Sequence, residues 1–136
     1  MPHLTSTVIA GRIEDLYGAP LADLATHAQD LPPGMLSALL GLYHGLALAE
    51  QSIASNRDRL AQLADGEGQI GTHEVSHILD CARRLAEAVA VRDVQATTGL
   101  AVLQSLGRVA APEPSPAPAP AVPAPPVAAA SAAPSR

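Results

Sequence analysis

The sequence is almost free of aromatic residues: it has two tyrosines and no phenylalanine or tryptophan in 136 residues. Its core must therefore be aliphatic, built from leucine, isoleucine, valine and alanine. Leucine and alanine are strong helix formers and pack well between helices, so this composition favours an all-α fold. No stretch of the sequence has the alternation that indicates a strand.

Lysine is absent, and all eight basic residues are arginines. Together with the high alanine content, this usage is typical of a GC-rich bacterial genome. The formal net charge is −5, and the chain has neither a basic stripe nor aromatic side chains on which bases could stack. We therefore expect no nucleic-acid partner.

Cysteine occurs once, at Cys81, which excludes an intramolecular disulfide bond and a metal site built from several cysteines. A single cysteine fits a reducing compartment. The longest apolar run, residues 35–49, contains His44 and falls short of the roughly 18 residues that a membrane span needs. The N-terminus does not resemble a signal peptide. We expect a cytoplasmic protein with no membrane contact.

Hydrophobic periodicity predicts two short helices, over residues 5–17 and 21–30, followed by a long one from Gly34 to about Ala64. In the long helix, residues at alternating spacings of three and four form a heptad seam: Leu39, Leu42, Leu46, Ala49, Ile53, Asn56, Leu60 and Leu63. A second apolar line widens only the first half of this helix: Leu36, Leu40, Tyr43 and Ala47. We expect the short helices to cover that half.

Two features of this long helix indicate close packing and assembly. Small residues recur every four positions, at Ser37, Gly41, Gly45 and Ala49, and permit close approach of another helix. We expect the N-terminal helices to fill this stripe, with a dimer contact as the alternative. A polar seam residue such as Asn56 commonly fixes register or partner choice.

Three glycines within residues 65–71 end the long helix, and Thr72 is a predicted N-cap of the next one. This second long helix is predicted over residues 72–98, followed by either a last short helix or a continuation of the same helix to about Arg108. Because the connection is short, the two long helices should form an antiparallel hairpin. The predicted apolar face consists of Val75, Ile78, Leu79, Ala82, Leu85, Ala86 and Val89.

Nine prolines lie between Pro112 and Pro134. Proline removes backbone donors and prevents both helix and sheet, so this segment is predicted to be extended and disordered. The predicted organisation is thus a helical bundle domain, residues 1–108, and a disordered Pro/Ala-rich tail, residues 109–136.

One sequence in the second long helix matches a chemical motif: His73-Glu74-Val75-Ser76-His77. Over these five residues it resembles the zinc-binding helix of zincin peptidases, in which two histidines hold zinc and the glutamate activates the bound water. The resemblance implies His73 and His77 as metal ligands and Glu74 as the catalytic base. Asp80, one turn further on, is a candidate third ligand of a surface metal site.

The surrounding sequence favours a different interpretation. The third histidine of the extended motif is absent, and Glu87 lies about 15 Å along the helix axis from His77, too far to share a coordination shell. Both histidines fall opposite the predicted apolar face, on a stripe that also contains Asp80 and Arg84. We interpret this stripe as a solvated polar face with an Asp80–Arg84 ion pair. Cys81, at its edge, is interpreted as half-buried and inert.

The sequence therefore predicts a small non-enzymatic helical interaction or assembly module without a cofactor. Its hairpin would contact either another protein or a second copy of the chain, in a homodimer built around a four-helix core. The tail would act as a spacer or a weak proline-rich ligand. The alternative is a metal-binding protein or minimal zinc metallopeptidase that uses His73, Glu74 and His77.

Overall fold

A computed structural model describes residues 4–110 and 119–124 of the chain. It consists of four helices: α1 (Ser6–Tyr17), α2 (Leu21–Gln29), α3 (Met35–Ala64) and α4 (Thr72–Ala110). The part of the chain that the structure describes contains no strand, and the predicted helical bundle class is confirmed. Residues 119–124 are exposed and form neither helix nor strand. The disorder predicted for residues 111–118 and 125–136 lies outside the described residues.

The short helices are delimited by local hydrogen bonds. The Thr5 side chain accepts from the Val8 N–H and caps the start of α1. Gly18 ends α1 with a φ of 70°, a left-handed conformation that glycine adopts without steric cost, and its N–H donates to the Glu14 carbonyl. The Glu14 carboxylate then accepts from the Leu21 N–H at 2.7 Å. The end of α1 is thereby tied to the start of α2.

The long helices α3 and α4 form the predicted antiparallel hairpin. Gly45 contacts Gln95, whereas Asn56, further along α3, lies beside Arg84, further back along α4. One detail differs from the prediction, because Thr72 is the first helical residue and not the cap. Of the two alternatives predicted after residue 98, the continuation is the one observed, since α4 runs through the Thr97–Gly99 region to Ala110. Gly99 is buried there because the Ile9 side chain packs 3.4 Å from the position of its missing Cβ.

The core lies at one end of the hairpin, where α1 and α2 cover it. Ile13 and Leu39 have no exposed surface, and Ile9 and Leu46 are 1% exposed. The buried cluster joins all four helices and consists of Ile9, Ile13, Leu24, Leu39, Leu46, Ala96 and Leu103. The expectation that the N-terminal helices cover the first half of the long helix α3 is therefore confirmed.

The other end of the hairpin is a bare pair of helices. Residues 50–87, which we call the arm, all lie within the described part of the chain, and none of them is fully buried. The seam residues that α3 contributes here, Ile53, Leu60 and Leu63, are half-buried between the two helices. The arm therefore has a seam but no enclosed core.

The predicted apolar face of α4 is wrong at four of its seven residues. Ile78, Leu85 and Val89 are half-buried, but Val75, Leu79, Ala82 and Ala86 are exposed. A line of α4 residues that alternate three and four apart is instead buried or half-buried throughout: Ile78, Cys81, Leu85, Ala88, Arg92, Gln95, Gly99, Val102 and Leu106. This seam includes arginine, glutamine, cysteine and glycine, so hydrophobicity alone does not locate it.

The small-residue stripe of α3 also has a different neighbour from the one predicted. At Gly45 that neighbour is α4, because Gln95 side-chain atoms lie 3.0 to 3.3 Å from the position of a Cβ. Ala49 is buried, whereas a Cβ at Gly41 would meet nothing within 4 Å. The stripe therefore lets α4 approach α3 and does not receive α1 or α2 at Gly45.

Candidate functional site

The two motif histidines lie together at the start of α4. Both side chains are exposed, their rings meet edge to face with centroids 4.5 Å apart, and their Nε2 atoms are 3.1 Å apart. The pairing arises because residues four apart lie on the same face of a helix, one turn above the other. The structure thus brings together the two residues that the sequence nominated as metal ligands.

Glu74, the candidate catalytic base, has a structural contact. Its carboxylate accepts from the Gly71 N–H at 3.1 Å, and the Val75 N–H donates to the Gly71 carbonyl. Gly71 is therefore the N-cap of α4, and Glu74 is the third helical residue, which in a capping box reaches back to the N-cap N–H. This contact explains a glutamate at position 74 without any catalytic role.

Asp80, the candidate third ligand, is bound to a different residue. One of its carboxylate oxygens lies 3.0 Å from Nε of Arg84, and both side chains are more than half exposed. This is the ion pair predicted from the sequence, and exposed pairs of this kind contribute only a few tenths of a kcal/mol. Within residues 4–110 and 119–124, no three His, Cys, Asp or Glu side chains are grouped so that they could hold a metal ion.

A cavity of about 600 Å³ opens where α1, α2 and α3 meet. Its wall is mainly apolar, with Tyr17, Leu24 and Met35 among the lining residues and Asp23 and His27 at its edge. This volume is typical of small-molecule pockets. The candidate metal and catalytic residues predicted from the sequence, His73, Glu74, His77 and Asp80, do not line this cavity.

A shallower groove runs along one side of the hairpin. Its floor is formed by small residues, Gly45, Ala49 and Ala88, and its rim includes the exposed Leu48 and Val91. Further along the groove the lining becomes polar: Ser52, Asn56, Arg84 and Glu87. The Asn56 amide donates to the carbonyl and hydroxyl of Ser52 in its own helix, so it makes no polar bond across the seam.

The opposite side of the arm is apolar and uncovered. We call it the open side and define it by the exposed residues Ala54, Arg57, Ala61, Val75, Leu79, Ala82 and Ala86. Leu79 is 61% exposed and Val75 44%. Arg57 is the one charged residue of this set.

The open side continues the surface that α1 covers at the other end of the hairpin. On α4, the residues Val75, Ala82, Val89, Ala96 and Leu103 follow one another at seven-residue steps and therefore share one edge of the heptad seam. Ala96 and Leu103 belong to the buried cluster with Ile9 and Ile13 of α1. Val89 is half-buried, and Val75 and Ala82 are exposed.

On α3, too, the open side continues a line of residues at seven-residue steps that α1 covers at the other end of the hairpin. Tyr43 packs against the buried cluster, and Glu50, seven residues later, binds the first residue of α1. The Glu50 carboxylate accepts from both the N–H and the hydroxyl of Ser6. Arg57, another seven residues on, is exposed. The helix α1 therefore lies along this side as far as Ser6, and the side continues uncovered over the arm.

Sequence reasoning missed this surface because it assigned the α4 residues of the open side to the core. The signal that could have revealed it is the seven-residue repeat that links them to Ala96 and Leu103. Among residues 4–110 and 119–124, no helix combines the length and the apolar character that crossing a bilayer requires. No protein-family model, no curated protein and no solved structure matches the chain.

Proposed function

We propose that the protein is a non-enzymatic assembly module that forms a homodimer through the open side of its arm. The observation that supports this proposal is the uncovered apolar surface that continues the α1 contact. A two-helix arm without an enclosed core buries little apolar surface, so it gains stability from any helix that covers it. A second arm would complete a four-helix core of the kind that such bundles use.

A second copy suits this surface because the surface complements itself in shape. On the open side, α3 presents small residues, Ala54 and Ala61, whereas α4 presents the larger Val75 and Leu79. A two-fold axis that runs between the two arms, parallel to their helices, would place α4 of each copy over α3 of the other. Large side chains would then fill the space above small ones, as Ile9 of α1 does above Gly99.

The charges of the arm are also compatible with this contact. Arg57 is the one charged member of the open side, and its long stem allows the guanidinium to reach solvent at the edge of an interface. The acidic and histidine side chains near the tip, His73, His77 and Asp80, lie on the other side of α4. The dimer contact would therefore bury few charges.

The proposal also includes a cellular compartment and a role for the proline-rich tail. Cys81 is half-buried in the seam, which fits a protein kept reduced in the cytoplasm. The tail beyond Ala110 would act as a spacer, since proline-rich chains extend by about 3.1 Å per residue. The cap formed by Glu74 supports a non-enzymatic interpretation of the His-Glu-x-x-His sequence.

The proposal is tested by measuring the mass of the full chain in solution by sedimentation equilibrium over a dilution series. The wild-type chain should associate at micromolar concentration and dissociate on dilution. Ala82→Glu places a carboxylate in the open side, where burial without a partner costs several kcal/mol, and should give a monomer. Ala101→Glu is the matched control, because Ala101 is also exposed on α4 but shares the heptad position of Asp80 and Glu87, on the other side of the helix.

Two results would contradict the proposal. One is a wild-type chain that stays monomeric at the highest concentration measured. The other is equal dissociation of the Ala82→Glu and Ala101→Glu dimers, which would place the contact on another surface. Circular dichroism of both variants verifies that their helices are formed.

A further inference from the structure

We propose that His73 and His77 bind one divalent transition-metal ion per chain, with water molecules in the remaining coordination positions. The site is separate from the open side of the arm, and it requires neither catalysis nor a second copy of the chain. The ion belongs to the class that prefers imidazole ligands, such as Ni²⁺, Cu²⁺ or Zn²⁺.

The distance between the two nitrogens fits such an ion. Their Nε2 atoms are 3.1 Å apart. With metal–nitrogen bonds of about 2.05 Å, this separation gives an angle at the metal of about 98°. That angle lies between the values for octahedral and tetrahedral coordination, about 90° and about 109°. The separation of the two nitrogens therefore suits one ion, once the rings turn so that both Nε2 lone pairs point to it.

A change of tautomer in one ring allows a metal ion to replace the hydrogen bond between the two histidines. Without a metal, a contact of 3.1 Å between the Nε2 atoms of His73 and His77 is a hydrogen bond in which one ring donates and the other accepts. When an ion binds, the donating ring moves its proton to Nδ1, and both Nε2 lone pairs become available to the metal.

The rings of His73 and His77 are accessible to solvent, and the helix turn that holds them is stabilised by local hydrogen bonds. Both rings are exposed, so an ion reaches them directly from solvent. The helix turn that spaces them is fixed by the Glu74–Gly71 cap and by the bond from the Ser76 hydroxyl to the Thr72 carbonyl. Because the backbone is ordered before the ion arrives, binding does not have to pay for folding this turn.

The site is independent of the proposed dimer. In the seven-residue repeat of α4, His77 occupies the same position as Arg84 and Val91, which line the groove, and His73 the same position as Glu87. The open side lies on the opposite edge of the seam. A dimer through the open side would therefore leave both histidines accessible.

Isothermal titration of the full chain with NiCl₂ tests the proposal. We expect one saturable Ni²⁺ per chain and at least about tenfold weaker binding in both His73→Ala and His77→Ala. ZnCl₂ should compete for the same site, whereas Mg²⁺, which prefers oxygen ligands, should not bind. His44→Ala is the matched control, because His44 is another exposed histidine of a long helix with no histidine one turn away.

Thermal unfolding provides a second readout that does not depend on the heat of binding. Ni²⁺ should raise the unfolding midpoint of the wild-type and His44→Ala chains, and should leave that of His77→Ala unchanged. Absence of saturable binding, or equal binding by the wild-type and His77→Ala chains, would overturn the proposal. A stoichiometry of one ion per two chains would also overturn it, because the ion would then be shared between copies. A monomeric chain that binds Ni²⁺ would contradict the proposed dimer alone.

Discussion

Replacement of Leu79 by alanine tests whether this residue stabilises a dimer contact on the open side of the arm or the core of the single chain. Leu79 is 61% exposed in the single chain. Full burial of a leucine side chain contributes about 1.5–3 kcal/mol, and less than half of that surface is covered here. The isolated chain should therefore lose about 1 kcal/mol or less of unfolding free energy. The higher helix propensity of alanine offsets part of this loss.

The same substitution should weaken the dimer much more. If a second arm covers the exposed part of Leu79, each copy gains about 1–2 kcal/mol from it. A two-fold contact contains the residue twice, so the dimer would lose about 2–4 kcal/mol. Since about 1.4 kcal/mol corresponds to a factor of ten, the dissociation constant should rise about 100-fold.

The assay is sedimentation equilibrium of the wild-type, Leu79→Ala and Leu48→Ala chains over the same dilution series. Leu48 is 66% exposed but lines the groove on the other side of the hairpin, so it controls for general surface hydrophobicity. Its replacement should leave the dissociation constant unchanged. The reasoning is refuted if Leu79→Ala associates like the wild type, or if both variants weaken association equally. A loss of 2–5 kcal/mol in urea unfolding of dilute Leu79→Ala would show instead that Leu79 is a core residue.

Four further substitutions test the fold. Ile13→Ala empties a fully buried position and should cost about 2–5 kcal/mol in urea unfolding. Gly18→Ala meets no steric neighbour, so its cost of about 1–2 kcal/mol should come from the positive φ alone and should lower the thermal midpoint. Gln95→Met removes a buried side-chain oxygen that has no hydrogen-bond partner among the described residues, and should raise the unfolding free energy by about 1 kcal/mol. Glu74→Ala removes the bond to Gly71 and should speed amide hydrogen exchange in the first turn of α4 while leaving the core unchanged.

The parts of the fold that could be predicted are those in which one chemical signal dominates. The α3 seam from Leu39 to Leu63 is almost entirely aliphatic, and every residue predicted in it is buried or half-buried. The widening of its first half by a second apolar line correctly indicated where α1 and α2 pack. Glycine and proline likewise marked the breaks between helices, since Gly18 and Pro20 delimit α1 and α2.

The α4 seam could not be predicted because it depends on matched pairs of residues. Gln95 occupies a seam position because Gly45, on the facing helix, has no side chain to compete with it. Arg92 is only 20% exposed along its side chain, and its guanidinium pairs with Asp93 at 2.9 Å. A pattern within one helix contains no information about such partners. A prediction based on hydrophobicity alone therefore assigned the buried face of α4 to the residues with apolar side chains.

The candidate sites were predicted to the extent that they depend on helix geometry. The four-residue spacing was sufficient to place His73 beside His77 and Asp80 beside Arg84. The contact of Glu74 depends on the turn before the helix, because its partner is the backbone of Gly71. Threonine is a more common N-cap residue than glycine, so the sequence predicted the N-cap of α4 at Thr72, one residue after its actual position at Gly71.

The residues of α4 that were wrongly predicted to be buried support the proposed assembly. The apolar stripe predicted from the sequence exists, and its seven-residue repeat runs from Val75 through Val89 to Leu103. At the Leu103 end it is covered by α1, and at the Val75 end no described residue covers it. A helix that faced only α3 would need apolar residues in the seam and none along its edge. The apolar residues that continue along this edge beyond the reach of α1 are the ones that the arm of a second copy would cover in the proposed dimer.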